Sequence, residues 1–115
     1  MSIFGFRTRS ADRDRDTDER RLKTLSAAFD DLSEEIRKER DGLKGRYDRV
    51  RDNAAFALQA LDDGGTSRVS AKVDELTRSL AHCEARLAAL DEHARFIDGV
   101  RQQVKSYFEG LDQGS

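Results

Sequence analysis

The chain has 115 residues, of which 38% are charged and 37% hydrophobic, with a formal net charge of -2 and no proline. So small and polar a chain holds at most one domain, and it lacks the overall positive field that draws in nucleic acid or anionic lipid. One cysteine excludes an intrachain disulfide framework and fits a reducing, cytoplasmic compartment, and no run approaches the ~20 apolar residues of a membrane span.

Residues 1–16 open with Met1-Ser2-Ile3-Phe4-Gly5-Phe6, too short for the apolar core of a secretory signal, and continue into the alternating run Asp12-Arg13-Asp14-Arg15-Asp16. That run has no apolar face to bury, so this segment is expected to be disordered or a frayed helical extension. Thr17 suits an N-cap, with Asp18 and Glu19 favourably placed at the positive end of a helix dipole. A first helix is expected over 17–61, a turn over 62–67, a second helix over 68–109, and a tail over 112–115. Within the turn, Gly64 or Gly65 supplies a left-handed C-cap, and Thr66 or Ser67 caps the second helix.

The two helical stretches mirror one another about that turn. Apolar residues recur at three- and four-residue steps as Leu22, Leu25, Phe29, Leu32, Ile36, Leu43, Tyr47, Val50, Ala54, Leu58 and Leu61 before it. After it come Val69, Val73, Leu76, Leu80, Cys83, Leu87, Leu90, Ala94, Ile97, Val104, Phe108 and Leu111. An antiparallel pairing sets Leu61 against Val69, Ala54 against Leu76, Val50 against Leu80, Tyr47 against Cys83, Leu43 against Leu87 and Ile36 against Ala94. The fold class is therefore all-α, a long antiparallel helical hairpin or two-helix coiled coil, with arms of roughly 60 Å at 1.5 Å per residue.

Two places depart from the repeat. Between Ile36 and Leu43 the apolar position is lost, Glu39 and Arg40 occupy the seam, and Gly42 and Gly45 follow. This is a stutter, read first as a defect that a long helix tolerates; if the first helix bends or breaks anywhere, as a hinge or into three helices, it is here. In the second arm Arg101 takes the seam position facing Phe29, where it is expected to lay its stem on the ring with its head in water, or to pair with an acidic group.

The apolar stripe is wider near the turn than one neighbouring helix can cover. Ala54, Phe56, Ala57 and Leu61 on the first arm and Ala81, Ala85, Ala88 and Ala89 on the second are therefore expected to mediate self-association, as a two-fold dimer forming a four-helix bundle. Two further candidate docking places are Ile3, Phe4, Phe6, Arg7 and Arg9 at the start of the chain, which could enter a partner's groove, and Phe96, Tyr107 and Phe108 at the open end of the hairpin, where a partner helix could insert.

No catalytic, metal or cofactor site is expected. His82 and Cys83 are adjacent and point about 100° apart on a helix, and His93 lacks a carboxylate or cysteine three or four residues away. Gly64-Gly65-Thr66-Ser67 has neither the preceding strand nor the following lysine of a phosphate cradle. The expectation is a non-enzymatic protein–protein interaction module, an adaptor or scaffold, partnered by itself and by another protein. Nucleic acid, membrane and small-molecule substrates are disfavoured as partners. The alternative is a small export-type chaperone that holds an amphipathic helix of a client.

In size and helix–turn–helix plan the chain resembles the helical-hairpin proteins exported by type VII secretion systems. The likeness covers topology alone, since the turn is Asp63-Gly64-Gly65-Thr66 without Trp-x-Gly, and Tyr107 is followed four residues later by Leu111 rather than by an acid.

Overall fold

The computed structural model describes residues 3–113, with side chains from Ser10 to Leu111. Helix α1 spans Ile3–Asp62 and helix α2 spans Ser67–Gln113, packed as an antiparallel hairpin, with no strand among the described residues. The chain divides into two units: Glu34–Phe96, which contains the turn, and the stretches up to Ser33 and from Ile97 onward.

The turn closes with economy of residues. The N–H groups of Gly64 and Gly65 both donate to the Leu61 carbonyl, at 3.1 and 3.2 Å, and finish the last turn of α1. Gly64 takes φ +95°, the left-handed conformation that costs an L-residue about 1–2 kcal/mol, so it is the C-cap. Gly65 is required for space, because a Cβ there would lie 2.8 Å from the Ala60 carbonyl oxygen and 2.9 Å from the Leu61 Cα. The Thr66 carbonyl accepts the first bond of α2 from the Ser70 N–H at 3.2 Å, which makes Thr66 the N-cap.

In the turn-containing unit the antiparallel register is carried by long-range side-chain pairs. Tyr47 Oη donates to Glu84 Oε1 at 3.0 Å, and Arg40 Nε lies 3.0 Å from Asp91 Oδ1. Ala54, Leu76, Cys83 and Leu90 form the core, Leu90 being the most enclosed at 1% exposure. Every residue of the six sequence-expected pairs, from Leu61 with Val69 to Ile36 with Ala94, is buried or half-buried. The helix passes through Gly42 and Gly45 without interruption, so the stutter is a defect that the long helix tolerates. Its backbone bonds are kept there, and across the seam the missing apolar contact is replaced by charge: Arg86 forks onto Glu39 at 2.7 and 3.0 Å.

In the other unit none of the described side chains is fully buried. Helix α1 begins at Ile3, so Thr17 lies inside it and not at its start. Asp14 and Arg15 of the Arg/Asp run, both exposed, border a groove that Ala11, Asp18, Leu22, Phe108 and Leu111 also line. Arg101 reaches Asp30 Oδ1 at 2.8 Å and Ser33 Oγ at 3.2 Å, an ion pair within the chain, while its Nε is buried without a partner.

Candidate functional site

Exposed apolar side chains are the feature that backbone packing leaves unexplained. Phe56 is 77% exposed, Phe96 70% and Tyr107 65%, whereas isolated exposed leucines such as Leu25 and Leu32 are ordinary for a two-helix packing. Phe56 stands at the edge of an open groove of about 450 Å³ lined by Ala57, Ala60, Val69 and the stems of Arg68 and Lys72. On its other flank lies a second hollow, bounded by Asp52, Ala55 and Gln59. The local cause is the run Ala54-Ala55-Phe56-Ala57, in which one large ring is surrounded by methyl side chains that cannot cover it.

The residues expected to mediate self-association separate into inner and outer sets. Ala54 is 7% exposed and belongs to the core of the chain's own hairpin, because its register with Leu76 turns it toward α2. Leu61, Ala57 and Ala89 are half-buried, and Phe56, Ala81, Ala85 and Ala88 are exposed. Sequence reasoning placed Ala60 in the wide apolar stripe but missed Val69, Arg68 and Lys72 as the groove wall. Their signal was available in the mirror pairing, which brings residues just before the turn beside those just after it.

Of the second set of candidate docking residues, Phe96 and Tyr107 are exposed. Phe108 is half-buried against the groove shared with Leu22 and Leu111, and its ring meets Tyr107 edge-on at 5.5 Å and 89°. The side chains of Ile3, Phe4, Phe6, Arg7 and Arg9 lie outside the described residues.

The electrostatics of the turn-containing unit are those of a framework of exposed charge pairs. The Arg86 guanidinium, by hydrogen bond first and charge second, holds the Glu39 carboxyl below the usual carboxylate range. The hydrogen bond to the Glu84 carboxylate, with the charge of Glu84 behind it, raises the Tyr47 hydroxyl above its usual value. Arg37 bridges Glu34 and Asp41 along one face of α1 and lowers the Glu34 carboxyl through its hydrogen bond.

Cys83 is a free thiol at 2% exposure, and His82 and His93 are exposed. Among the described residues no three His, Cys, Asp or Glu side chains converge as a metal site would require, and no helix is long and apolar enough to cross a membrane. At the turn, the Gly64 and Gly65 N–H groups are consumed by the Leu61 carbonyl, so they do not present an anion cradle. No protein family, curated protein or solved structure matches the chain.

Proposed function

We propose that this chain is a non-enzymatic protein–protein interaction module, an adaptor or scaffold that works through the outward faces of its helical hairpin in a reducing, cytoplasmic setting. The observation that carries the reading is Phe56, exposed beside an apolar groove. A ring left in water forgoes roughly 2 kcal/mol of available burial, which a partner surface supplies on binding. The buried, unpaired thiol of Cys83 supports the reducing compartment.

A second reading, a small export-type chaperone, is favoured by the groove of about 270 Å³ that Leu22, Phe108 and Leu111 floor and that Asp14, Asp18, Glu19 and Arg15 border, three acids to one base. An amphipathic client helix with basic flanks would suit it. The two readings differ in the empty protein: a scaffold self-associates, whereas a chaperone is a single chain or a loose dimer until its client arrives.

Purification of the intact tagged chain from its native cells, with light scattering on the eluted species, tests both. The scaffold reading expects a stoichiometric complex that includes two copies of the chain, and the chaperone reading one copy with one client. A single chain with nothing bound contradicts both.

A further inference from the structure

We infer that the Phe56 face is a symmetric contact between two copies of this chain, the ring of each seated in the groove beside the Phe56 of the other. The inference rests on the interaction-module reading and names its partner.

The patch carries its own complement. Phe56 projects from α1, and the groove that begins at its flank is floored by Ala57, Ala60 and Val69, side chains small enough to admit a ring. A two-fold axis that places the knob in the groove once places it there twice, as an isologous contact requires. Charge at the rim is complementary in the same operation. Asp52 lies one helical turn before Phe56 on the same face of α1, and Arg68 borders the groove at the start of α2. With the α1 helices of the two copies antiparallel across the axis, the shift that carries Phe56 onto the groove carries Asp52 onto the Arg68 of the second copy. Within its own chain Asp52 has Arg51 at 3.9 Å, a long contact between exposed groups that competes weakly. An unrelated partner would need only the knob or only the socket; the presence of both, with one charge of each sign in register, is the mark of a surface that binds itself.

Sedimentation equilibrium on the intact chain over a range of concentrations tests this, with circular dichroism as the check on helicity. The wild-type chain is expected to form a dimer. Phe56→Asp, at a position already in water, is expected to keep the helix content and weaken the dimer by about tenfold or more. Asp52→Arg and Arg68→Asp should each weaken it, and the double variant should recover most of the loss, which a merely structural role would not produce. A dimer indifferent to Phe56→Asp overturns the symmetric contact and leaves the interaction-module reading standing. A wild-type chain that remains single at every concentration also overturns it, and with it the self-associating scaffold, and the capture experiment then decides the chaperone reading alone.

Discussion

Individual residues at the turn and in the seam carry unequal weight, for reasons that geometry makes plain. Gly65→Ala is expected to destabilise more than Gly64→Ala. The first sets a Cβ against Ala60 backbone at 2.8 Å, where nothing flexible can yield, whereas the second costs the left-handed penalty of about 1–2 kcal/mol. Thermal unfolding followed by circular dichroism ranks the two. Gly42 is the opposite case: a Cβ there meets nothing within 4 Å, so Gly42→Ala is expected to stabilise α1 by about 0.5–1 kcal/mol. A loss of stability in that variant would mean that the glycine serves a bend after all. Leu90, 1% exposed, should be the costliest side chain to truncate, Leu90→Ala losing about 2–5 kcal/mol, while Phe96→Ala on the surface should stay within about 0.5.

Between elements, the helices are held in register by apolar layers and, where those fail, by charge. Glu39 and Arg86 make this testable by pH. Arg86 depresses the Glu39 carboxyl in the folded chain, so the pair's contribution is fully present above the unfolded carboxyl value of about 4.3 and is lost as pH falls through the lower folded value. Glu39→Gln should flatten that acid limb of the unfolding curve, and added salt should shrink the difference between the two proteins. Tyr47 has the opposite sign. Its raised hydroxyl contributes below the unfolded value of about 10 and ceases to as pH rises through the higher folded value, so Tyr47→Phe should remove an alkaline loss of stability.

The layers themselves were legible from the sequence, because Ala54 with Leu76 and Tyr47 with Cys83 fall at mirrored heptad positions around an obvious glycine turn. The start of α1 was not, since Arg and Asp alternate through residues 12–16 and hide the helical spacing of Ala11, Arg15, Asp18 and Leu22. The pairing of Arg101 with Asp30 was half-legible: the register pointed to Phe29, and the acidic group that binds the guanidinium is the next residue along. Ala54 was legible as a seam residue but not separable, by composition alone, from its exposed neighbour Phe56.

For the molecule as a whole, a core of four side chains in one unit and none fully buried among the described residues of the other leaves little intrinsic stability to spare. Association that covers the Phe56 face should therefore couple to folding, and the thermal midpoint should rise with protein concentration in the wild type but not in Phe56→Asp. The most direct measurement of the central claim, that this face is covered in solution, is hydrogen–deuterium exchange of the wild-type chain at low and high concentration. The account predicts slower exchange at high concentration across residues 52–72, with the stretch around Tyr107 unchanged. Exchange that is identical at both concentrations throughout the chain would contradict it.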